Sequence, residues 1–340
     1  MSFPPNLSSE EQNLSPYFPL SQPERDPLLS PGRIALHSLL FIATVFTTCV
    51  AGMQWQNRSP FDLSYLAIGL PYAASILSIL TAHEFGHYFA AKYHRVSSTL
   101  PFYIPVPSFL LNPFGTMGAV IRIRSKIPTH KALFDIGIAG PLAGLVVTVV
   151  VLIYGILTLP GKEFLYSIHP EYQKLQSIPT YGLTLGHSVL FWSISHFVAG
   201  YKFFPPMNEL YHYPFLCAAW FGFFITAMNL IPVGQLDGGH ILYSLIGRKQ
   251  GIIARIFLVA LVLVGLSGFL PMLGISQLGS FSTTSWLIWA AILFFLIRAD
   301  HPPIYDTEPL DNNRRLLGWI TFGLFFLIFI PMPLIVVPQL

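Results

Sequence analysis

Seven stretches of this chain run apolar over about the length needed to cross a hydrocarbon layer roughly 30 Å thick. They lie near 35–53, 64–84, 133–158, 212–233, 252–270, 281–297 and 316–338. In lipid a backbone has to satisfy its own hydrogen bonds, so segments of this kind are helices. The low charge agrees: 10% of the residues are charged, where a soluble domain carries about a quarter. The expected fold class is an all-α polytopic membrane protein with about seven transmembrane helices.

Sidedness follows from the basic residues, which gather on the cytoplasmic face of membrane proteins. With a cytoplasmic N-terminus, only Arg58, Lys162, Lys174 and Lys202 of the 18 Lys and Arg residues fall on the opposite side. The net charge of +3 is then a consequence of topology. No basic patch is left for a nucleic acid, and the lipid bilayer is the expected partner. Cys49 and Cys217 both fall within expected spans, which argues against a disulfide framework. Residues 1–32 are rich in Pro and Ser and lack the basic stretch and apolar core of a secretory signal. They read as a disordered cytoplasmic tail. With no transit-like segment either, a bacterial inner membrane is the expected location.

Residues 33–247 read as one core and 248–340 as accessory C-terminal transmembrane helices. Within the core, 97–125 contains two strand-like pieces at about 100–106 and 117–124. Pro101, Pro105 and Pro107 forbid a regular helix there and suit edge strands. The segment is too apolar for an ordinary loop and reads as a small membrane-associated β-hairpin region. Either its free edge takes up an extended peptide by strand addition, or it only rests against the bilayer. Residues 159–211 form the largest extracytoplasmic segment, with an apolar helical face within 183–200 that suits an interfacial helix.

The second apolar stretch ends on His83 and Glu84, with His87 just beyond. Ionisable groups at membrane depth are costly and mark function by default. On a helix, residues four apart share a face one turn apart, so both imidazoles can reach one metal ion. Glu84 sits beside them, placed to take a proton from water as a general base. Lys92 marks the cytoplasmic surface about one and a half turns beyond His87. A catalytic zinc site has three protein ligands and one open position, so a third ligand has to come from elsewhere. The second and fourth stretches both run towards the cytoplasm, and Asp237, just past Pro232 and Gly234, arrives on the same side as His83. His240 is a rival ligand or a supporting partner. Gly137, Gly140 and Gly144 of the third stretch let another helix approach closely. His94 is out of reach of the same ion. His37, His130, His169, His212 and His301 read as residues of span ends or loops.

Three motifs in this order, HEFGH at 83–87, FDIGIAGPLAG at 134–144 and NLIPVGQLDGGH at 229–240, resemble the site-2 protease family of intramembrane zinc metalloproteases. PFYIPVPSF at 101–109 and FGTMGAVIRIRS at 114–125 are similar to its bacterial and plastid branch, without a PDZ module or a CBS pair. The resemblance covers about residues 65–247. It implies zinc (Zn2+) held by His83, His87 and Asp237, Glu84 as the general base, and Asn229 contacting the substrate or the developing oxyanion. A buried Asn bonding helix to helix is the plainer reading of Asn229. The implied function is a zinc-dependent intramembrane endopeptidase, a membrane metalloprotease of regulated intramembrane proteolysis, with a single-span membrane protein as substrate. There are two rivals: an ion-coupled transporter using His83, Glu84, His87 and Asp237 as an ion pathway, and a non-catalytic binder of membrane segments, against which the intact set of these residues argues.

Overall fold

The computed structural model describes residues 31–108, 113–175, 177–273, 284–297, 299–304 and 308–337. Nearly all of the expected N-terminal tail lies outside the described residues. The chain is mostly helical. It begins with α1 (Pro31–Trp55) and, after a 3-10 segment at Leu63–Gly69, continues into α2 (Leu70–Tyr93). Strands β1 (Phe102–Pro105) and β2 (Thr116–Val120) follow, then α3 (His130–Leu157), whose cap Thr129 accepts the Ala132 N–H. The next segment holds α4 (Lys162–Ile168), β3 (Gly182–Leu185) and α5 (Val189–Ala199). The chain then forms α6 (Pro214–Asn229), α7 (Asp237–Ile246), α8 (Gln250–Ser267), α9 (Ser285–Ile292), α10 (Asn312–Ile328) and β4 (Leu334–Val337).

Among the described residues, four helical stretches are long and apolar enough to cross a membrane: α1, Leu63–Tyr93, α3, and Asp237–Ser267, which joins α7 and α8. The other apolar windows form shorter helices. At 16 residues, α6 reaches about 24 Å, because the chain turns at Pro232 and Gly234 instead of extending the helix. The last window also departs from the expected uninterrupted span. Its helix stops at Ile328, ahead of Pro331 and Pro333, whose missing N–H groups end helical bonding. The chain then extends as β4 and pairs antiparallel with β3, Leu183 opposite Val336 and Leu185 opposite Leu334.

The core lies where α2, α3 and α6 pack together, with the most extensive contact between α2 and α3. Tyr72 and Ile76 of α2, Phe134 and Leu152 of α3, and Trp220 and Phe221 of α6 are all fully buried. The β1–β2 hairpin is antiparallel, Phe102 opposite Val120 and Tyr103 opposite Ala119. It rests on α1: the Phe102 ring lies 4.1 Å from His37 and the Tyr103 ring 4.9 Å from Phe41. Met117 and Val120 stay exposed, so the hairpin keeps an apolar outer surface.

Charged groups at one end of the bundle fasten the C-terminal helices to this core. The Asp135 carboxylate of α3 receives Nε and Nη2 of Arg314 at 2.8 and 2.7 Å. It also lies 2.7 Å from His94 Nε2, at the end of α2. A forked guanidinium–carboxylate contact of this kind is among the stronger hydrogen-bonded pairs. Asp135→Asn is expected to destabilise the protein by about 1.5–3 kcal/mol. Cys49 and Cys217 are free and buried, so the temperature at which a thiol-reactive dye labels them reads the loss. An unchanged labelling temperature would contradict the assigned role.

Candidate metal centre

His83 and His87 project from one face of α2, and both are buried. Their Nε2 atoms are 3.1 Å apart. His87 Nδ1 lies 2.7 Å from the Ile136 carbonyl of α3. A carbonyl only accepts, so Nδ1 carries the proton and Nε2 presents its lone pair; this is how an outer hydrogen bond sets the tautomer of a ligating histidine. Space for the two rings comes from α3. A Cβ on Gly140 would lie 2.1 Å from His87 Nε2, and one on Gly144 would lie 3.1 Å from His83 Cβ. Gly137 faces the first turn of α7, where its Cβ would meet His240 Cβ at 2.9 Å. The glycines of FDIGIAGPLAG therefore give close approach to the histidine rings as well as to a neighbouring helix.

Asp237 is the first residue of α7, where unpaired helix N–H groups favour a carboxylate. The turn before it passes through Gly234 at φ +54°, a left-handed conformation that glycine adopts without strain. Asp237 Oδ2 lies 3.4 Å from His83 Nε2 and 3.4 Å from His87 Nε2. His240 does not join this group: its Nδ1 sits 2.8 Å from His301 Nε2. Asn229, the last residue of α6, brings its side-chain Nδ2 to 3.3 Å from His83 Nε2. The structure thus gathers His83, His87, Asp237 and Asn229 from α2, α6 and α7.

The three ligand-type atoms fit a zinc ion. Around a tetrahedral zinc with bonds of about 2.0–2.1 Å, neighbouring donor atoms stand about 3.3 Å apart, and here the separations are 3.1, 3.4 and 3.4 Å. Two imidazole nitrogens and one carboxylate oxygen form a donor set that leaves a coordination position open.

Glu84 is buried beside this cluster and faces the hairpin, with the Ile121 backbone just past β2 close to its carboxylate. Close by, Tyr103 of β1 is 2.7 Å from Thr81 Oγ1 of α2. The hairpin is therefore bolted to α2 within one turn of Glu84. Sequence reasoning missed this bolt, and it missed Gln250. That side chain is buried at the start of α8 and donates to the carbonyls of Pro232 and Ala299 at 3.3 and 3.2 Å. It thereby fixes the turn that delivers Asp237. A lone Gln opening an apolar stretch was the available signal.

The peptidase family M50 model matches residues 71–268, which include His83, Glu84, His87, Asn229 and Asp237. Among curated proteins, the chain is 31% identical over 270 residues to a protein of Oryza sativa subsp. japonica named "Probable zinc metalloprotease EGY1, chloroplastic", covering 79% of this chain and 42% of the relative. It is 29% identical to the Arabidopsis thaliana protein of the same name, covering 78% and 44%. It is 28% identical to the Arabidopsis "Probable zinc metalloprotease EGY2, chloroplastic", covering 87% and 48%. The chain therefore spans somewhat less than half the length of these relatives. No solved structure matches it. With the family match running through the α2 motif, the glycines of α3 and the turn before Asp237, this chain belongs to peptidase family M50, the site-2 protease family.

Proposed function

We propose that this chain is a zinc-dependent intramembrane endopeptidase that hydrolyses a peptide bond in or near a transmembrane segment of a membrane protein. The observation that carries this reading is the convergence of His83 Nε2, His87 Nε2 and Asp237 Oδ2 with Glu84 buried at their side. The names of the relatives support it. His83, His87 and Asp237 would hold zinc, which when bound lowers the pKa of water towards 7 and polarises a carbonyl.

The chain's own residues do the rest. Glu84, buried beside the hairpin, takes the proton of the attacking water and hands it to the leaving amine. Asn229 presents an amide N–H beside His83, where it can steady the substrate carbonyl as charge develops. A helical substrate hides its carbonyls in its own hydrogen bonds, so it has to unwind locally. The hairpin next to Glu84 offers backbone edges that would hold the unwound stretch extended. The substrate class we infer is a single-span membrane protein. An inert binder leaves the buried Glu84 without a purpose, and the zinc metalloprotease names of the relatives favour a protease over an ion-coupled transporter.

We further infer seven crossings, with the N-terminus on the cytoplasmic side. The pairing of β4 with β3 supports the odd count, since it brings the end of the last apolar window to the segment expected outside. Residues 33–247 form the protease core in this reading, and 248–340 brace it through Gln250 and Arg314. For location, the bilayer is the supported statement. The three relatives named above carry the word chloroplastic in their names, which does not support the expected bacterial inner membrane.

Removing metal tests the reading. Incubation with 1,10-phenanthroline is expected to stop cleavage of a single-span test substrate reconstituted in the same vesicles, and added zinc is expected to restore it. Asp237→Asn should weaken zinc binding at this centre at least 100-fold, because even loss of an outer-sphere partner costs about 10–100-fold. Cleavage that persists after metal removal would overturn the proposal.

A further inference from the structure

A second group of metal-ligand side chains meets at the other end of the helices. His169 follows α4, and Glu209 and His212 precede α6, so 43 residues separate the two histidines in sequence. In space their Nε2 atoms are 3.1 Å apart. Glu209 Oε2 lies 3.4 Å from His212 Nε2 and 3.7 Å from His169 Nε2. His212 Nδ1 is 2.6 Å from the Trp55 carbonyl at the end of α1, so the proton is on Nδ1 and Nε2 offers a lone pair. His169 Nδ1 is 3.2 Å from the Glu171 carboxylate, which sets the same tautomer. Trp55 neighbours the start of α2 through Gln56, whose Nε2 bonds the Ile68 carbonyl at 3.0 Å. The group therefore sits about 20 Å along α2 from His83.

Two lone pairs and a carboxylate oxygen facing one another repel unless a cation lies among them. Glu209 and His212 are 2% and 3% exposed, so bulk water cannot provide it freely. Glu209 Oε1 is satisfied by Tyr172 Oη at 2.9 Å and Asn208 Nδ2 at 3.0 Å. Its Oε2 is buried with no hydrogen-bond partner, and an unpaired buried carboxylate oxygen calls for an explanation. A proton shared between the two Nε2 atoms would still leave Oε2 unpaired. A divalent metal satisfies all three at once, and the separations of 3.1, 3.4 and 3.7 Å bracket the ~3.3 Å expected around tetrahedral zinc.

We propose that His169, Glu209 and His212 form a second metal site, for zinc or a similar first-row divalent cation, that clamps the segment after α4 to the end of α1 and the start of α6. His169 is the more accessible ligand, with 21% of its side chain exposed, and marks the side from which the ion enters. Nδ1 contacts to Trp55 and Glu171 serve as the orienting outer hydrogen bonds that ligating histidines usually have.

Zinc per chain, measured by elemental analysis of the purified full-length protein after equilibration with zinc alone and removal of excess, tests this. Glu209→Gln keeps the size of the side chain and an acceptor for Tyr172, but removes the anionic oxygen. It is expected to lose about one equivalent relative to the unaltered protein. His169→Gln, at the exposed edge, is expected to do the same, and it decides the matter if dye labelling of Cys49 and Cys217 shows that Glu209→Gln has not folded. Asp237→Asn should remove a different equivalent, so the double variant Glu209→Gln/Asp237→Asn loses both. Zinc content that falls with Asp237→Asn but not with Glu209→Gln or His169→Gln overturns the second site and leaves the α2 centre standing. Content that falls only with the latter two supports the second site while removing the first.

Discussion

Glu84→Gln is expected to leave the zinc content of the protein unchanged and to lower peptide hydrolysis by about 10²–10⁴-fold, the range that a positioned general acid–base group contributes. The substitution is nearly isosteric. The bond of Tyr103 to Thr81 that fastens the hairpin to α2 is untouched. His83, His87 and Asp237 are untouched. What disappears is a basic oxygen able to take a proton from water and release it to an amine. The measurement is cleavage of a reconstituted single-span substrate, alongside zinc per chain. Hydrolysis within tenfold of the unaltered protein would remove Glu84 from the role given to it. Joint loss of zinc and activity would instead make Glu84 part of the metal-holding structure.

Gly140→Ala is expected to be nearly as severe, although it alters none of the groups that would touch metal or substrate. The added methyl would lie 2.1 Å from His87 Nε2, 2.4 Å from Cε1 and 2.5 Å from Cδ2. The ring cannot swing aside cheaply, because the 2.7 Å contact with the Ile136 carbonyl holds it from behind. Moving it breaks that bond, moves Nε2 away from Asp237, or both. Zinc affinity should fall by at least the 10–100-fold seen when outer-sphere support is lost, with activity falling alongside. Overpacking should add a destabilisation of about 1–3 kcal/mol. Gly144→Ala supplies the graded control: its methyl would stand 3.1 Å from His83 Cβ and 3.3 Å from Nδ1, a crowding that a small shift relieves. Zinc titration of the two variants should rank Gly140→Ala well below Gly144→Ala. Equal affinities would show that α3 does not shape the centre.

Local patterns made much of this architecture legible before any coordinates. Apolar length marked α1, α2, α3 and α8, because a hydrocarbon layer imposes length directly, whereas α4 and α7 fall in none of the apolar windows. The strand-like pieces expected at about 100–106 and 117–124 overlap β1 and β2, Pro101, Pro105 and Pro107 having excluded a helix around the first, and the four-residue spacing of His83 and His87 placed both imidazoles on one face. Legibility ended where a contact depends on residues far apart in sequence. His169 and His212 read as span-end histidines, since nothing near either one announces Glu209 or the other ring. Gln250 drew no reading of its own, because its bond to the Pro232 carbonyl exists only once the chain has folded back. The shortness of α6 is a further example: hydropathy measures apolar run length, while the turn at Pro232 and Gly234 sets where the helix stops.

The assembly of the metal centre from distant helices also has a temporal side. Asn229 follows His83 by 146 residues, and Asp237 comes later still. At about 5–20 residues per second of synthesis, that interval lasts roughly 7–30 s. Throughout it the ribosome-bound chain holds both imidazoles and Glu84 without a third ligand. Under the proposed reading, the carboxylate that would complete the metal centre is absent until α7 has been made, so the centre forms only after most of the helical core has left the ribosome.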